Sequence, residues 1–267
     1  MGGPRWRWTL GVVSGLLALG APCASGADAP ISPDRPSVTN NTETVRPGVA
    51  QLETGVEYAK SSIGGGESDR RFAAQLALRT GLTGALEARL GGEPVVRLRG
   101  ERDDTGPGDF SVGLKHRLLD AEEHRWWPSL GLQPSVKLPV GRAPIGTGRP
   151  DFELRALASF DLPAGFDLDV NAALAAVGQS RPNGYLLQAL TSASLNCKIL
   201  EATSAFVEVA FASRDERDAR DAVDLRAGIV FLLGRDVALD AAAGASLAGR
   251  GPDYTVIAGV SVRLGHR

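Results

Sequence analysis

Three histidines, two cysteines and a few glycine- or aspartate-rich runs are the residues of this chain whose types could carry chemistry. His116, His124 and His266 share no metal-ligand spacing with one another or with a cysteine. A lipase-type site needs a serine and a histidine within reach of each other and an orienting partner. His116 falls on the apolar face of its segment with no serine to pair with, so a packing or interfacial histidine is the simpler reading. Residues 141–148 are glycine-rich but lack the Lys-Ser/Thr ending of a phosphate loop and follow a strand without opening a helix. The run Asp103-Asp104-Thr105-Gly106-Pro107-Gly108-Asp109 offers oxygen ligands without calcium-loop spacing and reads as a solvated turn. Residues 214–224 mix both signs and read as a solvated loop that can meet lipopolysaccharide through divalent ions. No enzyme, metal or cofactor site is expected.

What remains are charges at every second position. Glu53, Glu57, Arg71, Arg79, Glu87, Arg89, Asp109, Lys115, Arg117, Lys137, Glu153, Arg155, Asp167 and Asp169 each sit on the polar side of an alternating segment. Leu52, Thr54, Val56 and Tyr58 share one face of the first segment, opposite Gln51, Glu53, Gly55 and Glu57. Alternation of this kind marks a strand with two unlike faces. It recurs in about twelve segments from Ala50 onward, an even count of the sort bacterial membrane barrels require. Residues 93–99 leave the count open, because Val95, Val96 and Leu98 can extend the third strand. The fold expected is all-β, a transmembrane antiparallel up-and-down barrel with the charges lining its lumen. They either pair into networks that fill a narrow bore or line a channel for small polar or amphipathic solutes.

Two further patterns favour a membrane over a soluble sandwich. Links alternate between long polar stretches, such as 61–69, 141–150 and 213–222, and tight turns, such as 80–84 and 162–165. Aromatic residues fall at strand ends. Tyr58, Phe72, Phe110, Phe152, Tyr185, Phe211 and Tyr254 adjoin the long links, while Trp127, Phe160, Phe166 and Phe231 lie at the opposite ends. Such belts around an aliphatic band match the two interfaces of a bilayer. Phe206 is the exception, falling inward by parity.

The amino terminus supplies the route. Arg5 and Arg7 precede an apolar run over residues 9–21, followed by small residues from Ala24 to Ala27. That order is a secretory signal peptide, too short to span a bilayer as a helix. Residues 1–27 are therefore read as the signal, with cleavage after Gly26 or Ala27. Pro22 before Cys23 argues against lipoprotein processing. Loss of Cys23 would leave Cys197 alone, without an internal disulfide. Residues 28–48 form a polar, turn-rich segment, either a periplasmic tether or a plug, ahead of a barrel over 49–267.

Asp34-Arg35-Pro36, followed by Glu43-Thr44-Val45-Arg46-Pro47-Gly48-Val49-Ala50-Gln51-Leu52-Glu53-Thr54-Gly55, resembles the entry of the outer-membrane barrels labelled "putative meta-pathway of phenol degradation". Gly108-Asp109-Phe110 with Gly113-Leu114-Lys115, and Leu138-Pro139-Val140-Gly141, resemble that family's fourth strand and the end of its fifth. The resemblance runs from Ile31 to the carboxyl end and implies a transporter-like outer-membrane barrel. Phenol transport does not follow, since the label itself derives from gene context. Such barrels usually end on an aromatic residue; here the last strand ends Val262-Arg263-Leu264 and continues Gly265-His266-Arg267.

The functional expectation is a passive channel or transporter for small solutes, aromatic or hydrophobic ones included. A non-conducting surface barrel and a periplasmic soluble barrel binding an apolar ligand are the alternatives. Expected partners are outer-membrane lipid, lipopolysaccharide and the barrel-assembly machinery. With a net charge of −2, no nucleic acid is expected.

Overall fold

A computed structural model describes residues 29–64, 67–101, 103–121, 127–179, 183–249 and 251–265. The signal peptide, Cys23, His124 and His266 lie outside the described residues.

Alternating segments pair with their sequence neighbours, each antiparallel to the next. They are β1 (Ala50–Gly64), β2 (Glu67–Gly81), β3 (Leu86–Arg99), the three-residue β4 (Asp104–Gly106), β5 (Phe110–Leu119), β6 (Ser129–Leu138) and β7 (Asp151–Leu162). A single 3₁₀ turn, Pro163–Gly165, leads to β8 (Phe166–Gln179), β9 (Gly184–Leu200), β10 (Thr203–Ala212), β11 (Ala222–Leu232), β12 (Val237–Gly249) and β13 (Tyr254–Leu264). The sheet closes where β1 pairs with β13, from Ala50 against Leu264 to Lys60 against Tyr254. β4 is a short flap on β3, so the other twelve strands make the closed barrel. Closure satisfies every ladder and removes the edges that hydrocarbon would penalise.

The parity read from the sequence decides what faces where. Outward positions are apolar and open: Leu154 is 53% exposed and Leu187 68%. Inward positions carry the charges, and Arg79, Lys115, Glu53 and Glu87 are at most 1% exposed. That is the inverse of a soluble barrel binding an apolar ligand, and it is the arrangement of a barrel whose solvent is lipid. The chain is an outer-membrane β-barrel.

Three details refine the sequence reading. β3 does continue to Arg99, across an irregularity opposite β2 between Ala74 and Leu76. The link read as long and polar over 61–69 is mostly strand, because β1 and β2 stay paired out to Gly64 and Glu67. Phe206 points inward, 7% exposed, and packs with Ala242 and Ile257.

Candidate functional site

The barrel interior is the site, and its first occupant is the chain itself. Residues 29–48 lead into β1 but run through the lumen at the end of the barrel that carries both termini. Ile31, Asp34, Thr39, Asn40, Thr42 and Val45 are all buried. The segment has no regular secondary structure, so its main-chain groups need partners from the wall.

Those partners are mostly carboxylates and amides. Glu53 of β1 accepts the N–H groups of Asp34 (3.3 Å) and Arg35 (3.1 Å). Glu208 of β10 accepts those of Val38 (3.2 Å) and Thr39 (2.6 Å), together with the Ser37 hydroxyl. Asn171 of β8 accepts from the Asn40 N–H and donates to the Asn40 carbonyl, both at 2.8 Å. Ser159 of β7 takes the Thr42 N–H, and Glu87 of β3 takes that of Val45 at 2.8 Å. Cations serve the carbonyls. Arg226 donates to Pro36 (3.0 Å), Arg155 to Val38 (2.9 Å) and Lys115 to Glu43 (3.1 Å). The segment therefore crosses the bore and touches opposite walls.

Side chains add two anchors. Asp34 sits among Arg89 (2.6 Å), Lys115 (3.2 Å) and Arg79 (3.3 Å); Arg79 also pairs with Glu53 and Glu87, and Arg89 with Glu87. Burial alone would raise the Asp34 carboxyl, but Arg79, Lys115 and Arg89 outweigh it and hold the group well below the usual carboxylate range. Arg35 reaches the opposite way. Its guanidinium hydrogen-bonds Gln75, meets Asp240 at 3.3 Å, and lies against Gly55 and Gly259, which face each other on β1 and β13. A Cβ on either glycine would overlap the guanidinium. The two glycines form the notch that admits Arg35.

Beyond the segment, toward the long loops, the lumen is open. One cavity of about 1250 Å³ fills the mouth, bordered among others by Glu57, Arg71, Lys137, Asp151 and Arg226. A second of about 530 Å³ reaches deeper, to Arg79, Arg89 and Gln133, which themselves contact the segment. Here charged side chains pair with one another. Arg71 joins Glu57 (3.0 Å) and Glu93 (2.5 Å). Lys137 joins Asp109 (3.3 Å) and Asp151 (2.5 Å), and Arg155 joins Glu153 (2.9 Å). The loop over 139–150 folds over this zone: Asp109 accepts the Gly141 N–H, and Ile145 borders both cavities.

Of the lumen candidates, Glu53, Arg79, Glu87, Arg89 and Lys115 thus gather around Asp34, while Glu57, Arg71, Asp109, Lys137, Glu153 and Arg155 surround the cavities. Asp169 bonds Ser159 and Asn196. Asp167 and Arg117 lie at the terminal end, Asp167 exposed and Arg117 beside Asp120 (3.4 Å). Glu208, Asn171, Asp240 and Arg226, which the sequence also puts on the polar face of their segments, face the lumen as well, and so does Glu93, in the stretch where the strand count stays open. The available signal was their inward parity, most clearly for Glu208, an isolated carboxylate in an apolar strand. On the outer surface, the rings of Tyr58 and Tyr254 pack at a tilt of 42° with centroids 6.0 Å apart, and those of Phe152 and Tyr185 at 54° and 6.0 Å. Phe72, Phe110 and Phe211 lie on the same outward face at the long-loop ends of their strands. Phe160, Phe166 and Phe231 lie at the terminal ends, and Trp127 just precedes β6.

A family model described as "Putative MetA-pathway of phenol degradation" matches residues 33–264. No curated protein matches the chain. Among solved structures, an outer membrane channel from Pseudomonas putida F1 is similar in fold, with a TM-score of 0.69 at 13% identity, covering 88% of this chain and 100% of that one. The NanC porin aligns with a TM-score of 0.57 at 9% identity, covering 80% of this chain and 100% of its own. The KdgM porin in complex with disordered oligogalacturonate gives 0.52 at 7%, covering 80% and 99%. At these identities the likeness is one of fold.

Proposed function

This chain belongs to the family described as "Putative MetA-pathway of phenol degradation", and from that premise we propose that it is a passive outer-membrane channel for small amphipathic solutes, plugged from the periplasmic side by residues 29–48. The termini mark the periplasmic end and the long loops the extracellular one, as in membrane barrels generally. One observation carries the reading. A lumen of about 1250 Å³ at its mouth opens to the extracellular side and stops at a segment that the wall holds chiefly through main-chain hydrogen bonds.

Such hydrogen bonds are exchangeable with water, so the segment can leave one partner at a time while the barrel stays closed. The lumen suits solutes carrying both an apolar body and a polar group. Paired charges line one part of its wall, while Ala175, Val177 and Ile145 line another. The likeness in fold to the P. putida channel and to the porins supports a conducting barrel over a purely structural one. The 530 Å³ chamber is of a size to hold a single-ring solute.

Purified full-length protein is expected to conduct in planar bilayers and to swell liposomes with small aromatic acids faster than with disaccharides. Absence of conductance, both in the full chain and after removal of the plug, overturns the channel reading.

A further inference from the structure

The lipid-facing parity of the strands is almost free of charge. Among the described residues it carries four Lys or Arg side chains and no carboxylate, and all four cations fall on three adjacent strands at the extracellular rim: Lys60 of β1, Arg70 of β2, and Arg97 and Arg99 of β3. Their register is direct. Lys60 lies opposite Arg70, and Arg70 opposite Arg99, in one row across the sheet. In the row below, Tyr58 lies opposite Phe72 and Phe72 opposite Arg97.

Like charges directly opposite one another destabilise a sheet unless an anion lies between them. The carboxylates of this rim pair or hydrogen-bond with groups other than Lys60, Arg70 and Arg97, although Asp103 lies near enough to Arg97 to feel its charge. Asp103 pairs with Arg99 at 2.5 Å, Asp69 accepts the Glu101 N–H, and Asp253 accepts the Ser62 hydroxyl. Lys60, Arg70 and Arg97 make no ion pair among the described residues. Arg70 and Arg99 also border the mouth cavity from the rim, whereas Lys60 and Arg97 do not.

We propose that Lys60, Arg70 and Arg97 form a binding site for the phosphates of lipid A, the lipid end of lipopolysaccharide. The aromatic residues Tyr58 and Phe72, in the row of Arg97, and Tyr254, opposite Lys60, place the hydrocarbon boundary at the level of the cations. An acyl-bearing glucosamine phosphate in the outer leaflet therefore meets rings along its chains and guanidinium groups at its phosphates. Arg supplies forked donors that fit phosphate oxygens, and Lys a point charge beside them. Clustering on three neighbouring strands makes this a local site, not a ring around the barrel.

The test uses full-length protein in detergent and fluorescent bisphosphorylated lipid A, with phosphate-free lipid A and inorganic phosphate as the other probes. Lys60→Gln, Arg70→Gln and Arg97→Gln together are expected to weaken binding by at least about tenfold, since each cation near an anionic lipid surface contributes roughly a fivefold factor. Arg142→Gln with Arg220→Gln, in loops elsewhere, changes it by less than about twofold on the same scale. Folding is checked by heat-dependent gel mobility, and the single variants Lys60→Gln and Arg97→Gln give a graded readout should the triple variant fail to fold. A triple variant, or both single variants, binding like the wild type overturns the site. So does equal binding of phosphate-free lipid A, or displacement of lipid A by inorganic phosphate at equal concentration.

Discussion

At the end of the lumen that carries the termini, the carboxylates of Glu53, Glu87 and Glu208 accept main-chain N–H groups of residues 29–48 besides meeting Arg79, Arg89 and Arg226, whereas at the long-loop end those of Glu57, Glu93, Asp109 and Asp151 meet Arg71 and Lys137 and take no donor from that segment. The same residue type on the same face of the sheet thus does two jobs. A carboxylate that takes backbone donors holds a length of chain in place. One that meets only groups of the wall and its loops leaves open space beside it. On the proposed function, this difference makes the floor the gate and the mouth the filter, and substitutions at the two levels should have unlike effects.

Removing residues 29–46 should have the largest effect. Twelve strands enclose a bore wide enough to conduct once emptied, so single-channel conductance is expected to rise at least about fivefold. Glu208→Ala comes next. It leaves the N–H groups of Val38 and Thr39 and the Ser37 hydroxyl without their shared acceptor, at a cost of about 2–4 kcal/mol. That corresponds to a rise on the order of 100-fold in the displaced population. Faster amide exchange at Val38 and Thr39, with the barrel strands still protected, is the measurement. Gly55→Leu should act more weakly in the same direction, because the new side chain takes the space of the Arg35 guanidinium.

Acid gives a smaller effect still. Asp34 is held below its ordinary value of 3.8, so its anchoring is fully present above that value and is lost only as pH falls through the lower folded value. Conductance gated by Asp34 should therefore be flat between about pH 5 and pH 8; a rise across that window would remove Asp34 as the anchor. At the mouth, Lys137→Ala exposes Asp109 and Asp151, and should shift reversal potential toward cations with conductance changed by less than about twofold. A large gating change from Lys137→Ala, or a pure selectivity change from Glu208→Ala, would invert the comparison between floor and mouth.

Much of this was legible in the sequence because a strand has a period of two. Once Leu52 and Val56 were placed outward, Glu53 and Glu57 had to face in, and the same step fixed Phe206. The path of residues 29–48 was less legible for a physical reason. Wall groups such as Glu208 and Asn171 recognise its main chain, which every residue shares, so its side chains carry little of the signal. The visible traces were on the wall instead: Gly55 and Gly259 facing each other where a side chain would collide with Arg35. The link over 61–69 is shorter than its polar composition suggests, because Ser, Gly and Glu continue the β1–β2 ladder above the membrane, where hydrophobic alternation no longer marks a strand.

The account's central claim is that solute passes only when the plug moves. Thr39 and Ser192 touch through their hydroxyls at 2.9 Å, one on the plug and the other on β9. Thr39→Cys with Ser192→Cys, in a chain carrying Cys197→Ser, allows the plug to be locked to the wall by oxidation. Single-channel recording of that protein should show conductance abolished when oxidised and restored by a thiol reductant. Equal conductance in the locked and reduced states would contradict the claim.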